Sequence, residues 1–249
     1  IIHPQHPHAP SIHMHISWTE MKDGNGYWRV MADLNPAIPN EADTQTFIDC
    51  LKQSSGALYS EAAAQGDRYF NIPALNRHRG VAHFYLEQYK TAEPATDFAF
   101  AKQFGENVIA CYANILREAL LRNSDVSISD KLAQLEYHTL YLFQVLTLDR
   151  GTTSGLMVHS QNDLGIMGSI PAHVSKPLLE SWTSNCAAPQ DSLVKNLVAA
   201  LPEGEISPVT DEAKLALAQA VRSHYKAHPE ALAMQARGNV IPPTVDNHR

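Results

Sequence analysis

Residues 11–36 read SIHMHISWTEMKDGNGYWRVMADLNP, a run in which apolar and polar side chains alternate on either side of one strong turn signal. Across 11–19, Ile12, Met14, Ile16 and Trp18 share one face, while His13, His15 and Ser17 share the other. A period of two is the signature of a strand with one side against a core. Asp23-Gly24-Asn25-Gly26 supplies residues that tolerate positive φ, so a hairpin is expected. The returning strand, 27–34, puts Trp28, Val30, Ala32 and Leu34 on one side and Arg29, Met31 and Asp33 on the other, and Asn35-Pro36 stops it.

Outward from this hairpin, 1–10 is too proline-rich for helix and reads as an extended lead-in. The chain opens mid-motif at Ile1 and without Met, leaving open whether residues precede it. Asn40 caps a helix expected to run to about 64. Residues 79–89 read as a third strand with Arg79, Val81, His83 and Tyr85 on a shared face. Asp97 is expected to cap a helix over 98–122, and a shorter one follows Ser129. Residues 139–148 read as a buried strand, and 155–159 and 166–170 as two short ones. From Trp182 onward the chain reads as helical, most clearly at 211–228, and 238–249 as irregular. The expected organisation is one α+β domain over 1–201 with a helical C-terminal extension at 202–249.

The composition excludes whole classes of function. With 249 residues, 44% hydrophobic and 18% charged, the chain is globular, and no apolar run approaches a membrane span. Its net charge of −7 argues against binding nucleic acid or anionic membrane. Cys50, Cys111 and Cys186 make no disulfide framework or zinc spacing, which fits a reducing compartment; the expected setting is cytoplasmic. Cys111, on the apolar face of its helix, reads as core. Dinucleotide, Walker, nucleophile-elbow and zinc-protease motifs are missing.

The unusual residue is histidine, 13 in all with five in the first fifteen positions. His13 and His15 lie side by side; register permitting, Asp33 and Arg29 come from the neighbouring strand and Arg79 and His83 from another. Such a face suits an anionic substrate and proton transfer. It equally suits the wet side of a half-exposed sheet. His13, His15 and a carboxylate, with His83 or His159 as substitutes, are also the donor types of an iron or copper site. His3, His6 and His8 read as adventitious metal affinity in the lead-in. Asp149-Arg150-Gly151-Thr152 reads as a turn whose Arg150 doubles as an anion clamp.

At HPQHPHAPSIHMHISWTE the chain resembles the oxygen-dependent coproporphyrinogen III oxidases. The resemblance continues in order through Ala32-Asp33-Leu34-Asn35-Pro36, Tyr69-Phe70, Arg79-Gly80, Asp149-Arg150-Gly151-Thr152, Gly155-Leu156, Ser169-Ile170-Pro171 and Trp182, covering about 1–201, with the family's N-terminal segment absent. It implies a flat antiparallel sheet sandwiched between helices, a homodimer, and oxidative decarboxylation of porphyrinogen propionates to vinyl groups. O2 is the co-substrate, CO2 and hydrogen peroxide are released, and no metal or organic cofactor is required. By the same resemblance His13, Asp33 and Arg79 are the catalytic candidates, with Asp33 anchoring or deprotonating pyrrole N–H groups. Arg150, Arg29, His15 and His83 are the substrate-binding candidates, and His13, His15 and His83 the metal ligands of the alternative.

Several positions depart from the family pattern. Ser17 stands where the family has Arg, and His15 where it has Asn. Arg29-Val30-Met31 replaces a glycine run, Ala82 and His83 replace paired glycines, and Asn162-Asp163-Leu164-Gly165 replaces Arg-x-Glu-Ser. Arg29 and Arg77 are candidate compensating cations. Three functions follow: a divergent porphyrinogen oxidase, a paralog oxidising a smaller substrate with O2 and a recruited metal, or a non-catalytic binding protein on the same scaffold. If His13 and Asp33 are functional, alanine at either is expected to abolish turnover with little change in melting temperature.

Overall fold

The computed structural model describes residues 1–151, 153–159 and 162–236. In chain order the elements are β1 (Ser11–Glu20), β2 (Gly26–Asn35), α1 (Glu41–Ser55), α2 (Tyr59–Phe70), β3 (Asn71–Ile72), β4 (Arg77–His78), β5 (Ala82–Tyr89) and α3 (Pro94–Arg122). Then come α4 (Ile128–Thr147), α5 (Ser154–His159), α6 (Asp163–Ile166), β6 (His173–Val174), α7 (Lys176–Ser181), α8 (Gln190–Ala200), β7 (Ser207–Pro208) and α9 (Asp211–Ala227). The fold is α+β, and the described chain forms two compact units. One comprises 1–70 and 80–130, the other 71–79 and 131–236.

The first unit is built on the expected hairpin. Asp23 closes the turn by accepting the Asn25 backbone N–H at 3.0 Å and its side-chain amide at 2.9 Å. The β1–β2 ladder then runs unbroken from Glu20↔Gly26 to Ser11↔Asn35, and β5 joins antiparallel on the far edge of β2. One face carries Ile12, Val30, Ala32, Leu34, Ala82, Phe84 and Leu86, which are buried against Phe47 and Leu51 of α1 and Phe104, Val108 and Ile115 of α3. Asn40 caps α1 as expected, accepting Asp43 N–H at 3.0 Å. The helix nevertheless stops at Ser55, where Gly56 N–H returns to Lys52 O, and a separate α2 starts at Tyr59. α3 begins at Pro94, before the expected cap, because proline suits the first helical turn. Asp97 instead holds Thr91 through its N–H at 2.7 Å and its hydroxyl at 2.8 Å.

The third strand corrects one expectation directly. It starts at Ala82, and the chain bends before it at Gly80, whose φ of 82° only glycine adopts easily. A side chain there would also meet Asn35 Oδ1 and Leu34 O at less than 3 Å. Arg79 therefore lies outside the strand and belongs to the second unit.

In the second unit, 139–148 is not a strand but the buried half of α4, and 155–159 and 166–170 contain α5, α6 and a short 3-10 turn rather than strands. The α4 segment is apolar nearly all round, so its periodicity could not separate a buried helix from a strand. α8 and α9 are helical as expected, with Leu193, Val194, Leu197, Leu217, Val221 and Tyr225 buried and Thr210 capping α9 on Ala213 N–H at 3.3 Å. Residues 202–236 are thus part of this unit rather than an appendage to it. The irregular tail expected at 238–249 lies outside the described residues. Among the described residues no helix is long and apolar enough to cross a membrane.

Candidate active site

The polar face of the sheet gathers the site. Register places His13 opposite Asp33 and Asp33 opposite His83, so one row crosses all three strands. The next rows bring His15, Met31 and Tyr85 together, and then Ser17 with Arg29. This is not the wet side of a half-exposed sheet: His13 is 2% exposed, Asp33 0% and His83 6%. Buried ionisable groups must be paired or hydrogen-bonded to persist. Here His13 Nδ1 lies 3.3 Å from Asp33 Oδ1, and Asn35 donates its side-chain amide to Asp33 Oδ2 at 2.6 Å.

Helix α2 closes over this row. Gly66 brings the helix so near β5 that a Cβ there would sit 2.6 Å from His83 Cβ. The buried Phe70 ring meets His13 edge-on at 6.4 Å and tilts against His83 at 5.1 Å, spanning the row on either side of Asp33. His83 Nδ1 is 2.8 Å from Asp67 Oδ1, also on α2. His15 Nε2 is 2.8 Å from Ser17 Oγ. Below them Tyr85 donates to Glu87 at 2.7 Å. Burial works against the charge of Arg29, but the surrounding Tyr85, Tyr69, Glu87 and Tyr27 outweigh it and hold the guanidinium above its ordinary value.

Of the sequence candidates, His13, Asp33, His83, His15 and Arg29 therefore share one face. Arg79 and Arg150 are in the second unit. Arg79 is fully buried with its guanidinium 5.0 Å over the Tyr141 ring. Arg150 follows Asp149, whose carboxylate accepts Gly151 N–H at 2.9 Å, so the chain bends at Arg150 as its sequence suggests, and Thr152 lies outside the described residues. Arg77 pairs with Glu136 at 2.9 Å. Asp163, in the segment departing from the family pattern, pairs with Arg222. Among the described residues no three His, Cys, Asp or Glu side chains converge as metal ligands, so His13, His15 and His83 are not brought together as a triad. The His159 side chain lies outside the described residues.

Sequence reasoning missed the roles of Asn35 and Asp67. Asn35 was recoverable, since 33 and 35 share a strand face. Asp67 was not, because only the packing of α2 on β5 delivers it.

The chain as a whole is similar to known proteins. The family model described as "Coproporphyrinogen III oxidase" matches residues 1–204. The mouse "Oxygen-dependent coproporphyrinogen-III oxidase, mitochondrial" is 26% identical over 200 residues, covering 77% of this chain and 43% of the relative. The human protein of the same description is 27% identical over 193 residues, covering 74% and 42%. The Dictyostelium discoideum "Oxygen-dependent coproporphyrinogen-III oxidase" is 29% identical over 187 residues, covering 69% and 53%. The chain spans about half the length of the curated relatives it matches.

Proposed function

The chain belongs to the coproporphyrinogen III oxidase family, and from that membership we propose that it is an oxygen-dependent oxidoreductase removing propionate carboxyls from a porphyrinogen. The observation that carries this reading is the buried His13–Asp33 pair, with Asn35 behind it and His83 beside it. Each propionate reacting with one O2 gives one vinyl group, one CO2 and one hydrogen peroxide. Asp33 would accept a pyrrole N–H and stabilise positive charge as it develops on the ring. His13, its Nδ1 facing Asp33, would leave Nε2 to take or return the proton. O2 is the oxidant and no resident cofactor is required. A homodimer and a cytoplasmic setting accompany the reading, and the net charge of −7 supports a small-molecule substrate rather than nucleic acid.

A smaller substrate is the second reading, and one observation favours it. The candidate compensating guanidiniums are committed internally: Arg29 lies in the field of buried Glu87, and Arg77 is paired with Glu136. A tetracarboxylate needs cations that are not already neutralised. His83 also occupies space that the family pattern leaves to glycine.

Freshly reduced coproporphyrinogen III is the first substrate to test, incubated under air with and without chelator, with products separated chromatographically. Vinyl products with peroxide release, unaffected by chelator and lost in Asp33→Asn, are expected. Absence of turnover with the native chain would overturn the tetrapyrrole reading in favour of the smaller substrate. Turnover lost only with chelator would instead support recruited iron or copper.

A further inference from the structure

The first unit carries a second chemical feature, remote in sequence from the His13–Asp33 pair and unused by the proposed reaction. Cys50 on α1 and Cys111 on α3 lie at the crossing of those helices. Cys50 Sγ donates to Asn107 O at 3.6 Å, and Cys111 Sγ donates to Thr46 O at 3.8 Å. Each acceptor lies one helical turn before the opposite cysteine, so the contacts are reciprocal. Each sulfur reaches the other helix's backbone, a close approach allowed by the short side chains of Thr46, Ser54 and Ala110 at this crossing.

The neighbouring Cys111 holds the Cys50 thiol down to about 7, against burial, while Cys50 and burial push Cys111 well above its ordinary value. Both are half-buried beside an open recess of about 530 Å³ whose wall includes Asp49, Gln53 and Asn114. A structural cysteine is inert because apolar surroundings keep it protonated and out of reach. This pair has the opposite character: a polar, open approach, one sulfur disposed to ionise, and a second at the same helix crossing and recess to resolve it. Cys111 is therefore not the wholly buried core residue its helix position suggests.

We propose that Cys50 and Cys111 form an oxidation site at which a hydroperoxide converts the two thiols to a disulfide tying α1 to α3. The Cys50 thiolate attacks one peroxide oxygen, the O–O bond breaks, and the other oxygen leaves as hydroxide and is protonated to water. Cys50 is now a sulfenic acid, and the charge that held the Cys111 proton in place is gone. Cys111 loses that proton, attacks the Cys50 sulfur, and the S–O bond breaks with release of a second water. Two thiols and one hydrogen peroxide give one disulfide and two waters.

The test treats the full chain with stoichiometric hydrogen peroxide, blocks free thiols with maleimide, and maps peptides without reductant. A Cys50–Cys111 linkage is expected, with loss of the mass of two hydrogens, reversal by dithiothreitol, and Cys186 still taking maleimide. In Cys111→Ser, Cys50 should stop at the sulfenic acid and be trapped by dimedone; in Cys50→Ser, Cys111 should not react. Maleimide on both Cys50 and Cys111 after peroxide, or a linkage through Cys186, overturns the proposal. The native map needs no variant to fold, and it is read independently of any porphyrinogen turnover.

Discussion

The two faces of the β1-β2-β5 sheet use the same strands, the same register and nearly the same degree of burial, yet they do opposite things. On one, Ile12, Ala32, Leu34 and Phe84 pack against α1 and α3, and burial is itself the source of stability. On the other, His13, Asp33 and His83 are just as withdrawn from water, and burial works against them. Asn35, Asp67 and Phe70 are what make that arrangement tolerable, by hydrogen bond, ion pair and ring contact. The contrast assigns stability to the first side; the proposed function places its chemistry on the second.

The largest effect should come from Asp33→Asn, which keeps shape and removes charge. Turnover is expected to fall by about 10²–10⁴-fold, read as product formed per unit of folded enzyme. The expectation from sequence, that alanine at His13 or Asp33 leaves melting temperature nearly unchanged, does not hold for groups this deeply buried. Asp33→Ala strands the Asn35 amide and His13, and should destabilise by about 1–3 kcal/mol in a denaturant titration. Unchanged activity in Asp33→Asn would remove the chemistry from the polar face.

Next comes the apolar face. Phe84→Ala should destabilise by about 3–5 kcal/mol while leaving turnover of the remaining folded enzyme nearly unaltered. A large fall in turnover without loss of stability would erase the distinction between the faces.

A smaller effect is expected at the lid. Gly66→Ala pushes α2 off His83 and should cost about 1–3 kcal/mol by calorimetry. The double variant with His83→Gly, which removes the side chain in the way, should recover most of it; no recovery would mean that β5 backbone, not the imidazole, sets the spacing.

The smallest effect guards against misreading acid inactivation as titration of the polar face. In the second unit, burial holds the His138 imidazole down to about 4, with His173 opposing its charge. The unfolded chain takes up that proton near 6.5, whereas the folded chain does not until about 4, so acidification through this window favours unfolding. The loss should be on the order of 1–2 kcal/mol near pH 5, and His138→Gln should flatten that part of a stability-against-pH curve. An unchanged slope in the variant would place the acid sensitivity elsewhere.

Much of the fold was legible because local patterns carried it. The hairpin, β5 from Ala82, α3 and α9 announce themselves by periods of two or 3.6, and α1 by its Asn40 cap. The strand expected at 139–148 failed because nearly every side chain there is buried, so no period survives to separate helix from strand. The strand expected to contain Arg79 failed differently: it continued back through Gly80, whereas the chain bends at that glycine and β5 begins at Ala82, with Arg79 over Tyr141.

By itself the sequence determined that His13, His15, Asp33 and Arg29 would lie on one side of a hairpin, because pleating alternates side chains and the turn sets the register. It also carried enough ordered motifs to indicate the family. Only the tertiary structure decided that this side is buried, that Asp67 and Phe70 from α2 reach it, and that Cys50 meets Cys111 across two helices. Those contacts join residues distant along the chain, and no local period encodes where a helix will pack.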